Sequence, residues 1–339
     1  MIEKDYPIDF VVTWVDGNDP VWQAEKAKYS PNKNADNRNV RFRDWDNMQY
    51  WFRAVEKFAP WVNKIHFVTY GHLPKWLNID NPKLNIAKHS DFIPQKYLPT
   101  FSSQPIELNL HRINGLAERF VYFNDDMFLL RPVKRELFFA GKDCLPTDFA
   151  ITSTISTTTK EDMMPFIKLN CVTILNGHFD KKEQMKKHFS KWVNLAYGWN
   201  ALRNLIFYGQ HRFKGFANNH LAFSFLKSEY EDIWEKEYES LDDTSSHKFR
   251  SKLDLDNWLI RYWQLTRGNF YPIGRHVKGK VYEIYNGVEQ NQELFKIIEN
   301  QAMPMICIND NDNVDFEPMK ERIKQAFDKI LPEKSSFEK

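Results

Sequence analysis

Long apolar runs are missing from this chain, and so are the glycine-rich loops that cradle phosphates. No stretch approaches the ~20 apolar residues of a spanning helix, and Met1 to Pro7 carries no apolar signal region. The expectation is a soluble protein, attached to a membrane at most peripherally. Neither GxxxxGK[ST] nor GxGxxG occurs, which argues against a kinase, a P-loop ATPase or a nicotinamide enzyme. The GxSxG elbow of serine hydrolases is absent too. Cysteine is scarce: Cys144, Cys171 and Cys307 lie far apart, without metal-ligand spacing, and cannot pair evenly. A reduced, cytosolic setting accounts for them most simply. An excess of one charge is also lacking. With 47 basic against 45 acidic residues and a net charge of +2, the chain is not a general nucleic-acid binder.

What is present suffices for one large domain or two modest ones: 339 residues, 42% hydrophobic and 15% aromatic. Ile8 to Val15 reads as a strand, broken by the turn Asp16-Gly17-Asn18-Asp19-Pro20. Ser30 to Asn39 is polar and reads as a mobile loop. Met48, Trp51, Phe52, Val55, Phe58 and Ala59 keep helical spacing after Asp44, with Asp44 and Asp46 in the first turn. Ile65 to Tyr70 and Leu84 to Ala87 are further strands. Ile106, Leu110, Ile113 and Ala117 form the stripe of a second helix, which feeds the strand Phe120 to Phe123. Strands alternating with helices imply an α/β fold with a largely parallel sheet. Residues 1–175 would form the core. Residues 176–268, rich in tryptophan from Trp192 to Trp263, would be a helical insertion on the acceptor side. Residues 269–333 would return to the core, and 334–339 would be a disordered tail.

Three apolar strands end in Asp or Asn: Trp14-Val15-Asp16-Gly17, Phe123-Asn124-Asp125-Asp126 and Ile308-Asn309-Asp310. In an α/β sheet that pattern points to a polar crevice at the carboxyl edge. Adjacent carboxylates there are costly unless paired, and a divalent cation carrying a phosphate would pair them. Glu107 and His111, four residues apart, would share a helix face on that crevice, or else a solvated one. Arg41, Arg43 and Arg53 bracket the first helix, as arginine suits phosphate. Asn176, His178, His211, Arg212, Asn219 and His220 crowd the helical region. The residues alone describe an α/β enzyme with an acidic, metal-assisted site for a phosphate-bearing substrate.

Several blocks then carry a resemblance. Ile8 to Pro20 is similar to the first block of the Stealth family, bacterial capsular-polysaccharide phosphotransferases related to the catalytic part of animal N-acetylglucosamine-1-phosphotransferase. Arg41-Phe42-Arg43-Asp44, Leu98 to Ser103, Ile106-Glu107, His111-Arg112 and Phe123 to Asp126 resemble the second block. Asn176 to Phe179 with Gly215 to Leu221 resembles the third, and Ile306 to Asp312 the fourth. The resemblance implies the sheet of A-type glycosyltransferases with a helical insertion. It implies transfer of sugar-1-phosphate, of the N-acetylhexosamine kind, from a UDP-sugar to a hydroxyl of an oligosaccharide or polysaccharide acceptor. UMP leaves and a phosphodiester forms; the alternative is a metal-dependent glycosyltransferase that releases UDP. Asp125 and Asp126 would hold Mg²⁺ or Mn²⁺. Glu107, His111, His178 and His220 would join them in catalysis, with Glu107, His111 or His178 as general base. Asp16 and Gly17 would receive the nucleotide. Arg41, Arg43, Arg112, Asn124, Asn176, Arg212, Asn309 and Asp310 would bind substrate. Capsule synthesis implies the cytoplasm, with peripheral association at the inner membrane face through partners.

Overall fold

Hydrophobic segments of four to six residues build the central sheet of the computed structural model, which describes residues 6–30, 43–157, 159, 162–311 and 313–339. Strands β1 (Ile8–Thr13), β2 (Ile65–Thr69), β3 (Leu84–Lys88) and β4 (Arg119–Phe123) run parallel in the order β3-β2-β1-β4. After β4 come β5 (Met127–Leu129), β6 (Phe139–Ala140) and β7 (Leu145–Asp148). Strand β8 (Phe223–Leu226) closes the central sheet antiparallel to β4. Strands β9 (Tyr271–Pro272), β10 (Gly279–Glu283) and β11 (Met305–Asn309) complete two smaller sheets, β10-β11-β5 and β6-β7-β9. The expected α/β fold with a largely parallel sheet is therefore observed.

The crossover from β1 to β2 contains the helix Met48–Phe58, which buries Tyr50, Trp51, Phe52, Val55 and Phe58. Apolar residues at i, i+3, i+4 and i+7 force that face onto the sheet. The helix begins at Met48, so Asp44 and Asp46 precede it instead of occupying its first turn. Asp46 adopts a positive φ of 49°, and its carboxylate pairs with Lys324 at 3.1 Å. An extra helix, Pro20–Tyr29, follows the Asp16–Pro20 turn. Asp19 caps it by accepting from the Trp22 amide at 2.7 Å, with Pro20 at the first helical position, where a missing N–H costs nothing.

The second expected helix is shorter than its stripe. It runs Ser103–Leu108, followed by one tight turn, Leu110–Arg112. The Asn109 side chain explains the break: it donates to the Pro105 carbonyl at 2.8 Å and to Ser245 Oγ at 3.2 Å. Residues 176–268, expected as a helical insertion, are mostly helical but also contribute to the central sheet. The helix Met164–His178 crosses the expected boundary, and β8 lies in the central sheet. Trp192 and Trp263 are fully buried in the second core cluster, so most of this aromatic segment is interior. The 30–39 loop lies outside the described residues from 31 onward.

The segment expected as a disordered tail is packed. Phe337 is 2% exposed against Phe52, with ring centroids 5.2 Å apart. Its carbonyl accepts from Asn78 N at 2.8 Å, and Glu338 takes a two-pronged bond from Arg53 at 2.8 and 2.7 Å. Six residues looked too short and polar to order, but one aromatic anchor and one guanidinium suffice. Phe337→Ala should cost roughly 3–5 kcal/mol of stability, read as a lowered urea midpoint. An unchanged midpoint would return the tail to solvent.

Candidate active site

Parallel pairing of β1 with β4 sets Val12 opposite Phe123, so both chains leave the sheet at the same edge. A cleft of about 1020 Å³ opens there. Trp14 and Val15 line it from β1, Asn124, Asp125 and Asp126 from β4, and Ile308, Asn309 and Asp310 from β11. The three strand endings that the sequence singled out thus converge on one crevice.

The turn after β4 is held by backbone. Ile308 N donates to the Asp126 carbonyl at 2.8 Å, and β5 then pairs antiparallel with β11. The Cys307 thiol donates to Asp126 Oδ2 at 3.2 Å. His220 Nε2 stands 3.6 Å from Asp126 Oδ2 and 3.4 Å from Asn124 Nδ2. Asp126 Oδ1 is buried and has no hydrogen-bond partner. Asp125 opens onto the cleft, and its carboxyl is pushed up to about 7 by its depth in the protein, then by Asp126 and Asp44. Depth in the cleft opposes a charge on His220, but its hydrogen bond to the Asp126 carboxylate and that group's negative charge prevail and raise the imidazole's pKa.

Crowded acids with an orphaned oxygen are what a hard divalent cation would satisfy. Asp126 and His220 bring a carboxylate oxygen and an imidazole nitrogen together as donors that suit a divalent cation, whereas Asp125 stands outside that group. Asp126, His220 and Cys307 present their ligand atoms within 4.8 Å of one another.

Deeper in the same cleft sits a second acidic pair. Glu107 is buried, and burial raises its pKa, opposed mainly by Arg250. Tyr122 Oη donates to Glu107 Oε1 at 3.3 Å. Asp256 is pushed up to about 7 by burial and then by Glu107. Asp256 also caps the helix Asn257–Thr266 by accepting from Trp258 N at 2.9 Å. Sequence reasoning missed Asp256, Arg250, Lys168 and Asp44 as cleft residues. An Asp ahead of an apolar run reads as a helix start and nothing more, as it did for Asp44, and Arg250 and Lys168 carried no pattern.

Other expected residues have different places. Arg43 lines the cleft but is engaged by Asp310, with bonds of 3.0, 2.7 and 2.8 Å. Asn309 lines it and donates to Glu283 at 2.7 Å. Asp16 holds its own turn through Asn18 N, and Gly17 accepts from Gln23; neither forms the wall of the cleft. Asp16 is near enough to help raise Asp44, whose carboxyl is lifted first by burial. His111 is withdrawn from the cleft: its ring is buried beside Tyr230 and Trp234, and burial drives its pKa down to about 3. Arg112 binds Asn109 and stacks on Trp234. His178 ends its helix on Glu237 and Trp263. Asn176 ties down Phe213 through both N and O, and Arg212 bonds the Asn176 carbonyl from an exposed position. None of these five lines the cleft. The break at Asn109 turns His111 and Arg112 away, while Asn176, His178 and Arg212 spend their polar atoms locally. Arg41 lies outside the described residues.

Two family models match: Stealth protein CR1, conserved region 1, over residues 6–34, and Stealth protein CR2, conserved region 2, over residues 41–145. Capsular polysaccharide phosphotransferase WcwK of Streptococcus pneumoniae is 42% identical over 98% of both chains. The chain belongs to the Stealth family. Receptor polysaccharide phosphotransferase WefC of Streptococcus gordonii is 41% identical to this Stealth protein over the full length of both chains. Exopolysaccharide phosphotransferase cps2G of Lactiplantibacillus plantarum is 39% identical, over 98% and 97% of the two chains. These relatives mark it as a transferase. Among solved structures, the galactosyltransferase LgtC with donor and acceptor sugar analogs overlaps 94% of this chain and 95% of that one, at 8% identity and a TM-score of 0.36. At that score the fold assignment rests on the strand order itself.

Asp126→Asn should weaken Mn²⁺ binding by about tenfold or more, since ligating carboxylates carry most of a hard cation's affinity. Calorimetric titration of the folded variant measures this. Binding equal to that of the unaltered protein would exclude Asp126 as a metal ligand.

Proposed function

We propose that this Stealth protein transfers sugar-1-phosphate from a UDP-sugar to a hydroxyl of a glycan acceptor, forming the phosphodiester of a capsular or exopolysaccharide. The observation that carries this reading is the crowded Asp125–Asp126 pair, with its partnerless oxygen, at the carboxyl edge of the sheet. Full-length relatives named as polysaccharide phosphotransferases support the reaction type. The cleft is large enough for a nucleotide-sugar beside an acceptor.

The chemistry is a displacement at the phosphorus next to the sugar. The acceptor oxygen forms a bond to that phosphorus, the bridging P–O bond of the diphosphate breaks, and UMP departs with the bridging oxygen. Asp126 and His220 would hold the divalent cation, which when bound neutralises charge on the diphosphate. Glu107 removes the acceptor proton. Burial lifts its pKa above the usual carboxylate range, which makes it a stronger base. Tyr122 orients the Glu107 carboxylate through its 3.3 Å bond. Arg250, held toward Gln104 and Ser103, keeps part of the base ionised. The aromatic wall formed by Trp14, Trp22, Phe101 and Phe249 excludes water and suits a flat base.

Incubation with Mn²⁺, a panel of UDP-N-acetylhexosamines and a capsule-type oligosaccharide should release UMP. UDP as the nucleotide product would overturn the proposal in favour of glycosyl transfer. Glu107 acts in its ionised form, and its pKa lies above the usual carboxylate range. Turnover should therefore fall as pH drops through that raised value. Glu107→Gln should lower kcat by roughly 10²- to 10⁴-fold and abolish the acid limb. A Gln variant with the original pH profile would exclude Glu107 as the base.

A further inference from the structure

The segment from residue 181 to 214 inverts the usual polarity of a surface. It holds eight lysines and arginines against the single acid Glu183, although the chain as a whole carries a net charge of only +2. It also carries the most exposed large apolar side chains of the described residues: Leu195 at 97%, Trp199 at 86% and Ile206 at 76%.

Three exposed apolar side chains keep helical spacing. Trp199, Leu202 and Ile206 recur at i, i+3 and i+7 from the N-cap along the helix Asn200–Ile206, and Leu195 stands just before them in the turn Leu195–Tyr197, across a break at Gly198. The opposite face, Tyr197, Ala201 and Asn204, meets the protein. Asn204 is fully buried: its Oδ1 accepts from Thr152 N at 2.8 Å, and its Nδ2 donates to the carbonyls of Ala150 and Trp192. The helix is thus pinned by a polar residue and turns its apolar stripe outward, the reverse of an ordinary surface helix. Val277, half exposed, adds to the patch: its loop abuts this turn, because a Cβ on Gly274 would stand 3.0 Å from the Ala196 carbonyl and 3.3 Å from Val277. The basic helix Lys181–Lys187 is fastened alongside, with Lys181 Nζ donating to the Phe207 carbonyl at 2.8 Å. Lys182, Lys186, Lys187 and Arg203 remain exposed.

We infer that this face docks on an anionic lipid bilayer. Large apolar side chains with a tryptophan, flanked by unbalanced positive charge, match the chemistry of a lipid interface. The excess of cations argues for phospholipid headgroups over a second copy of the same cationic face. No described helix is long and apolar enough to cross a membrane, so the attachment is in-plane. The helix is also tied to the segment that precedes a cleft residue: Asn204 holds Thr152, which pairs with Phe216, four residues before His220.

Co-sedimentation of the full chain with phosphatidylglycerol-containing vesicles tests this. Binding to such vesicles, weak on pure phosphatidylcholine and reduced at 1 M salt, is expected. Trp199→Ser/Ile206→Ser, and separately Lys186→Glu/Lys187→Glu, should each weaken partitioning by about tenfold at unchanged thermal midpoint. Two results would overturn the inference. One is no binding by the unaltered protein, or equal binding by both folded variants. The other is a dimer in sedimentation velocity that Trp199→Ser/Ile206→Ser dissociates, which would assign the face to a second copy.

Discussion

Mutual repulsion between the neighbouring carboxylates at the end of β4 is the constraint around which the rest of the site is built. Asp125 and Asp126 leave a buried strand together, and their charges would scatter the turn without outside restraint. The chain from His220 onward supplies that restraint. Strand β11 binds the turn through Ile308 N and the Cys307 thiol, and the loop before β8 brings His220 to Asp126. The Arg43–Asp310 pair then fastens the segment before the first long helix to the end of β11. Residues 181 and 267 positions apart are therefore held in one structural unit. A boundary drawn through residues 176–268 cuts across it.

The sheet and its carboxyl edge were legible in the sequence because the signal there is local. Strands β1, β2 and β4 are short apolar runs that stop abruptly, and three of the chain's strands stop in Asp or Asn. Helix periodicity was legible as well, but not helix ends. Asn109 terminates one helix with a side-chain bond to the preceding turn, and His111 and Arg112 then pack on Tyr230 and Trp234 instead of lining the cleft. A four-residue spacing implies a shared face only while the helix continues.

What stayed hidden depends on distance. Asp256 looks like a helix cap, and it is one, yet the same carboxylate is part of the acidic floor beside Glu107. His178, Asn176 and Arg212 looked functional because polar residues clustered, but each satisfies a neighbour close in space. Tryptophan gave little guidance: Trp192 and Trp263 are core, whereas Trp199, seven residues after Trp192, is almost bare. Burial follows from which side of a helix meets the sheet, and composition does not encode that.

The central claim concerns which bond breaks. A donor carrying ¹⁸O between sugar carbon 1 and its phosphorus separates the two chemistries. Attack at phosphorus leaves that oxygen in place, so the account predicts ¹⁸O in the product phosphodiester, seen as an isotope-shifted phosphorus resonance, with unlabelled UMP. Label departing with UDP, and none in the glycan, would show attack at carbon and contradict it.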